Sequence, residues 1–493
     1  MGDVKAASAV DVIVCIAVTV FLLGMSVALF GSDSSQGANQ IALVCGAALA
    51  TGIGIRNGHR WKVIEETIVS GISTALPAVI ILFSVGSLIG AWMLCGTVPT
   101  MIYYGMLLLD PAVFYAAACV LCAITALSIG SSWTVAGTLG IGLIGIASGM
   151  GLSVEITAGA IIGGAYFGDK MSPLSDTTNL APAVTGIDIF THIRHMTWTT
   201  APSLLVALVL FALLGLGESG ARPENALDAA LALLDDSFTI NPLLLAPVAL
   251  VVYMAARKVP AVATILSGVA AGIVIALLFQ PHAVLAMAGD SAGHGALRMF
   301  RGVWIVLFDG FSAATGDANL DSLLSRGGMS SMLTTVWLVL AAMALGAAME
   351  KAGILDTLVK NLVKLSRSTG SLIATTVGTC LGMNTLTGDQ YIAIVLPGRM
   401  FKVEYRRRGL HEKNLARVLE DAGTITSPLV PWNTCGAYMA ATLGVPTLAY
   451  LPFCFFNLIN PVISLFYGFT GFRIERIAER AADTPATAGV GTN

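Results

Sequence analysis

The sequence predicts an all-α polytopic membrane protein: an inverted repeat of about five crossings plus one re-entrant hairpin per half, with broken helices at the midplane. Three observations predict it. Hydrophobic residues make up 56% of the 493 and charged residues 11%, with a mean hydropathy of +0.83, so the chain cannot present an ordinary aqueous surface. Apolar runs long enough to cross a hydrocarbon core of about 30 Å recur along it. Short motifs also repeat at a spacing of about 255 residues.

Residues 10–30 form the first run, which is too long for a signal-peptide core, lacks a strongly basic leader and a clear cleavage pattern, and reads as a retained span. Runs 41–55 and 73–95 follow. Between them, 62–73 alternates apolar and charged positions at helical spacing, as an interfacial helix does. The glycine-rich stretch 111–150 reads as a hairpin turning near 128–134. The next span is interrupted at 168–182 by prolines and small polar residues. Segment 188–198 reads as interfacial, and 199–217 completes a first repeat assigned to 1–220.

The second repeat, 237–475, holds a run at 260–279 and a longer polar insertion at 282–325 with Asp290, Asp309, Asp317 and Asp321. An interfacial helix at 354–366, a hairpin at 369–397 turning near 383–389, and a span broken at 424–434 follow. Residues 476–493 read as a disordered tail.

The duplication rests on three local matches. Ser172-Pro173-Leu174 recurs as Ser427-Pro428-Leu429, and Gly90-Ala91-Trp92-Met93 as Gly346-Ala347-Ala348-Met349. Ser131-Ser132-Trp133-Thr134 falls opposite Leu386-Thr387-Gly388-Asp389, and on this spacing Asp176 falls opposite Pro431. Short basic loops stay cytoplasmic, which places Arg56, Arg60 and Lys62, then Arg257 with Lys258, the segment 351–367 and the cluster 399–417 inside. The base-free loops 31–40 and 96–109 and the acidic segment with Glu218, Glu224, Asp228, Asp235 and Asp236 go outside. An odd number of crossings per half then inverts the second half and leaves both termini cytoplasmic.

Several function classes drop out. No Gly-Lys pair exists, so there is no GxxxxGK[ST] phosphate loop to drive transport by ATP hydrolysis. A net charge of −3 gives no sign of nucleic acid, and no Ser/His/Asp or HExxH arrangement points to an enzyme. The eight cysteines fall almost wholly in apolar segments and read as small buried hydrophobes, Cys119 and Cys122 included.

Function is expected in 163–186, GGAYFGDKMSPLSDTTNLAPAVTG, where two aspartates, a lysine, two prolines and a run of hydroxyls interrupt an apolar context. A hard monovalent cation takes oxygen ligands, which an unwound helix supplies as carbonyls, hydroxyls, amides and carboxylates. Asp169 and Asp176 are the expected carriers: a desolvated carboxylate holds a proton when empty and gives it up when a cation arrives. Ser172, Thr177, Thr178 and Asn179 are the expected neighbouring ligands, with Na+ centred on Asp176, Thr178 and Asn179. Ser132 from the first tip joins them, and Asn384, Thr387, Asp389, Thr426, Ser427 and Asn433 complete the set from the second half.

Lys170 either neutralises an aspartate of the empty site or snorkels to the interface. Glu420 and Asp421 read as ion-paired beside the basic loop. His192 and His195, three residues apart, read as a solvated interfacial face rather than a metal pair.

The run GAYFGDKMSPLSDTTNLAPAV, followed by GIDIFTHIRHMTWTTAPS, resembles the signature region of the NhaC family of bacterial sodium/proton antiporters. Weaker resemblance extends through TLTGDQYIAIVLPGRMF and EDAGTITSPLVPWNTCGAYMAATLGV. It implies paired hairpins and broken helices, often a homodimer, moving by an elevator-like displacement. The family also holds exchangers of organic anions such as malate for lactate. The expectation is therefore a secondary transporter exchanging Na+ for H+ across the bacterial inner membrane, with no cofactor and no nucleic-acid partner. The alternative is a Na+-coupled organic anion exchanger of the malate/lactate type or an amino-acid exchanger of the same family. A channel would need no titrating carboxylate.

Overall fold

The computed structural model describes residues 5–218, 224–289, 295–313, 321 and 324–477, and among them the regular structure is helical apart from one isolated bridge, Leu410 to Arg476. Asp290, Asp317, the side chains of Glu224 and Asp228, and residues 478–493 of the expected tail lie outside the described residues. Among the described residues eight helices are long and apolar enough to cross a membrane, and ten if each of two bent pairs is one span. The chain is a polytopic all-α membrane protein.

One series of elements occurs twice. In its first appearance Pro111–Ile129 turns at Gly130 and Ser131 into Ser132–Val135, a π-helical step and Ile141–Gly149; Val154–Met171 follows, stops, and resumes as Asp176–Thr185. In its second, Thr369–Thr387 turns at Gly388 and Asp389 into Gln390–Arg407; Glu412–Leu419 runs through a π-helical step, unwinds, and resumes as Thr434–Leu443. The second hairpin arm thus continues beyond residue 397, because Pro397 is accommodated inside the helix.

The caps show why the chain breaks where it does. Gly130 and Gly388 turn the two tips at left-handed φ of 77° and 65°, a conformation that a side chain resists. The next residues, Ser131 and Asp389, cap the following arms by accepting from the N–H of Thr134 and of Ile392. Ser153 and His411 cap the spans that follow, Ser175 and Asn433 cap the helices beyond the breaks, and Gly186 and Gly444 end them. Gly388 follows Gly130 by 258 residues, and each other pair has the same separation. The spacing of about 255 read from Ser-Pro-Leu is therefore displaced: residues 172–174 lie inside the first break, whereas Ser427–Leu429 is a helical turn early in the second. Asp176 consequently stands opposite Thr434, not Pro431.

The tightest packing presses the first broken span onto the first hairpin arm. A Cβ on Gly164 would stand 2.1 Å from the Cys119 carbonyl oxygen, and one on Gly168 2.4 Å from that of Ala123. This is small-xxx-small packing: two backbones approach because nothing intervenes. All eight cysteines are unpaired thiols and seven are buried, with Cys45 exposed.

Three expectations change. Residues 62–73 belong to Trp61–Thr74, which runs into Leu76–Leu94 and packs on Leu333–Lys351, so a Cβ on Gly71 would lie 2.6 Å from the Ala347 Cβ. Residues 188–198 are the start of the 30-residue helix Ile189–Glu218, and His192 and His195 are buried there rather than solvated. The insertion at 282–325 is not simply polar: it contains Pro281–Ala288 and Gly295–Asp309 and docks on Leu76–Leu94, with Ser87 Oγ donating to the Leu307 carbonyl at 3.0 Å.

Gly164→Val is expected to force these backbones apart at a cost of about 1–3 kcal/mol. Thermal unfolding of the detergent-purified protein would show a lowered midpoint, and a wild-type midpoint would refute the packing argument.

Candidate functional site

The first tip and first break are joined through one carboxylate. Asp169, in the last turn of Val154–Met171, is buried; its Oδ2 accepts from the Ser132 N–H at 3.1 Å and the Ser132 hydroxyl at 2.7 Å, while its Oδ1 has no hydrogen-bond partner. The Gly164 and Gly168 packing makes this reach possible. Seven residues on, Asp176 opens the helix beyond the break and, contrary to the expectation of a desolvated carboxylate, is exposed. It takes the Thr177 N–H at 2.9 Å and the hydroxyl of Tyr391, which comes from the second hairpin.

The neighbouring polar residues close the break on itself. Thr178 Oγ1 donates to the carbonyls of Asp169 and Lys170 at 3.1 and 2.9 Å, and Asn179 Nδ2 to those of Pro173 and Ser175 at 3.0 and 2.6 Å. Ser172 Oγ accepts from the Leu174 N–H at 3.3 Å, and the Thr177 and Ser175 hydroxyls lie 3.1 Å apart. They fix the path of the unwound backbone.

The second break is built likewise. Asn384 Nδ2 donates to the Gly423 carbonyl at 2.6 Å and to Thr426 Oγ1 at 3.1 Å, and Asn433 Nδ2 donates to Asn384 Oδ1 at 3.1 Å. Thr387 donates to the Met383 carbonyl at 2.8 Å, and Ser427 to the Thr424 carbonyl at 2.7 Å. Asp389 is a helix cap, accepting from Ile392 at 3.0 Å, and it also reaches the central cavity.

That cavity, of about 490 Å³, lies where the two tips and two breaks meet. Ser131, Ser132 and Trp133 of the first tip, Asp169 and Asp176 of the first break, Asp389 to Tyr391 of the second tip and Thr434 beyond the second break line it. Its described lining holds three carboxylates and no Lys, Arg or His. Of the residues singled out in the sequence, Asp169, Asp176, Ser132 and Asp389 face this space; Ser172, Thr177, Thr178, Asn179, Asn384, Thr387, Thr426, Ser427 and Asn433 lie behind it. The free Asp169 oxygen, with the oxygens of Ser132, Asp176 and Asp389 that line the space, makes a set of hard donors that suits a monovalent cation. A wider space of about 940 Å³ shares Thr74, Asp389 and Tyr391 with the cavity and opens among Lys5, His59, Lys351 and Lys360.

Lys170 follows neither expected course. It is fully buried and ion-paired with Asp421 of the second broken span, donating also to Asn460 Oδ1 at 2.8 Å. Glu420 and Asp421 are accordingly not beside solvent; both are fully buried.

Sequence reasoning missed Tyr391 and Trp133, and it read Asp421 as ion-paired without foreseeing Lys170 as the partner. Tyr391 lies two residues beyond Asp389, inside the polar tip. Trp133 sits in a matched motif, and its ring stacks 4.0 Å from that of Tyr438, whose hydroxyl donates to the Trp133 carbonyl at 2.8 Å.

The model of the Na+/H+ antiporter family matches residues 164–472, from the Gly164 contact through both breaks and the second hairpin. The Na+/H+ antiporter NhaC of Alkalihalophilus pseudofirmus is 38% identical over 414 residues, 84% of this chain and 86% of its own. The Na+/H+ antiporter NhaC of Bacillus subtilis is 40% identical over 413 residues, 84% and 88% of the two chains. The malate-2H+/Na+-lactate antiporter of Bacillus subtilis is 35% identical over 433 residues, 88% and 89%. With the match covering both breaks and the second tip, and with relatives of 38% and 40% identity over most of their length, the chain belongs to the Na+/H+ antiporter family.

Proposed function

We propose that this protein exchanges Na+ for H+ across a bacterial inner membrane, with Asp169 and Asp176 as the groups that cation and proton occupy in turn. The observation that carries the reading is the cavity: it gathers both tips and both breaks around three carboxylates and contains no described base. Such a lining attracts cations, and the buried Asp169 is costly to leave charged and empty, while the exposed Asp176 adds negative charge at the cavity wall. A proton or a sodium ion removes that cost, and competition between them suffices for exchange. The NhaC relatives support this cargo.

The two halves are inverted repeats, 1–220 and 237–475, with both termini cytoplasmic. The paired caps support the duplication, and the basic residues support the orientation. The wide opening beside Lys351 and Lys360 then faces the cytoplasm, so this state is inward-facing. Assembly as a homodimer, with one repeat element carrying the cavity past the other, follows the family resemblance.

A second reading has one observation in its favour. The cavity is far larger than a sodium ion needs and admits a small organic cargo. A dianion such as malate would meet three acids and no base there, so an organic cargo with an ammonium group suits it better than one resembling the malate and lactate of the Bacillus relative. Uptake of labelled malate, lactate or amino acids into sodium-loaded proteoliposomes separates these readings from simple ion exchange.

In inverted vesicles, sodium is expected to dequench a pH dye, and the apparent KM for sodium to rise as pH falls because protons compete. Asp169→Asn and Asp176→Asn are expected to raise that KM by roughly 10–100-fold or abolish the signal, the effect of losing a charged partner. Unchanged activity in both would remove the carboxylates from the mechanism.

Tyr391→Phe keeps the ring and deletes the donor to Asp176. Its expected effect is smaller, roughly 2–10-fold in apparent KM, as for a single exposed hydrogen bond from an uncharged donor. A loss as large as that of Asp176→Asn would mean that the tyrosine itself holds cargo.

A further inference from the structure

Behind the cavity, a second group of charges is buried between the ends of the two broken spans. The Asp421 carboxylate pairs with Lys170, accepts from Thr199 Oγ1 at 2.9 Å, and has its other oxygen 3.9 Å from Arg417 Nε. Arg417 is itself fully buried and donates to the Arg473 carbonyl at 3.1 Å. Glu420 adjoins this group at the start of the π-helical step Glu420–Thr424. It is fully buried, and neither of its carboxylate oxygens has a hydrogen-bond partner; the Thr424 hydroxyl in the same step has none either.

The charge balance makes Glu420 unusual. Lys170 and Arg417 bring two positive charges and Asp421 one negative. An ionised Glu420 balances the group, but the neighbouring donor, the Thr424 hydroxyl of its own step, makes no hydrogen bond to its oxygens, which is costly in an apolar interior. A protonated Glu420 removes that anion but leaves one positive charge in excess, also costly. Neither state is fully satisfied, so a modest change in the local field decides between them. π-helical steps inside regular helices are frequent at functional positions.

The other titratable groups around it are few. His192 and His195 project from the long helix Ile189–Glu218, with His192 buried and both its ring nitrogens without partners. Tyr405 from the second hairpin and Tyr467 from the C-terminal helix Phe455–Thr470 face Arg417, and Glu475 lies at the rim, paired with Lys413. From the first broken span come Lys170 and, across the helix end, Asp169. The last two are consecutive residues: Asp169 faces the cavity and Lys170 the buried group. A cation arriving at an Asp169 that has already lost its proton therefore adds positive charge next to an assembly that already has too much when Glu420 is protonated.

Resting on the Na+/H+ reading above, we propose that Glu420 is a second proton carrier of the exchange, losing its proton when sodium occupies the cavity. The O–H bond of the carboxyl breaks, the proton passes to water, and the carboxylate is reprotonated from water on the opposite side of the membrane after sodium has left. The charge gained at Asp169 is thereby offset at Glu420.

The test uses the purified full-length protein in detergent, weakly buffered with a pH dye. Protons released on adding saturating NaCl, against a KCl control, are counted beside binding of radioactive sodium. Glu420→Gln is expected to bind as much sodium as wild type while releasing roughly one proton fewer per chain, and Glu420→Asp to restore the release. Equal release from wild type and Glu420→Gln overturns the inference and leaves the Na+/H+ reading standing. Wild-type protein that binds sodium without releasing protons overturns both. Should Glu420→Gln not elute as a monodisperse protein, the pH profile of release from Glu420→Asp decides: a displaced profile supports Glu420 as carrier, and one superimposed on wild type overturns it.

Discussion

A helix interrupted inside an apolar body must find partners for the backbone groups it frees, and this requirement organises the protein. Water is excluded there, so each unpaired carbonyl or amide costs several kcal/mol. At the first break the partners are local: Thr178 and Asn179 turn back on the carbonyls immediately before them. At the second they come from a distance, with Asn384 on the Gly423 carbonyl, Tyr450 on Pro428 at 2.6 Å and Asn457 on Ile425 at 2.8 Å. The second break is thus held by three separate elements, whereas the first supplies most of its own closure. What remains unpaired at the first break, the outer oxygen of Asp169, faces the cavity.

This difference assigns the halves different tasks. The first break brings two aspartates to the cavity; the second brings a threonine and is braced from behind. Trp133 stacked on Tyr438 and Tyr391 bonded to Asp176 tie each tip to the opposite half. A displacement of one tip therefore cannot leave the carboxylates unaffected, which is the mechanical condition for coupling cargo to conformation.

The all-helical membrane fold and the carboxylate pair were legible because polarity in an apolar sequence has few innocent explanations. Asp169 and Asp176 stood out against their surroundings, and they do face the cavity. The exact register did not show through, since the paired caps share a chemical role rather than an identity: Ser131 with Asp389, Ser153 with His411, Ser175 with Asn433. Ser-Pro-Leu, identical in both halves, pulled the alignment three residues away. Burial of His192, His195 and Asp421 was illegible for another reason. Each lies close in sequence to basic residues that suggest an interface, and only a partner from another element, Lys170 above all, reveals that the position is internal.

Lys170 also shows how one helix end can serve two environments. Successive side chains on a helix point about 100° apart, so Asp169 and Lys170 cannot share a face. Their opposite charges would otherwise neutralise each other across a single turn; instead the lysine is committed to Asp421 and the aspartate to Ser132. The carboxylate in the cavity is therefore left without a permanent counter-ion. That vacancy of charge is what a transported cation can fill, and a lysine free to swing back would compete for it. Pairing Lys170 with Asp421 of the second half keeps the lysine out of the cavity and binds the two broken spans together.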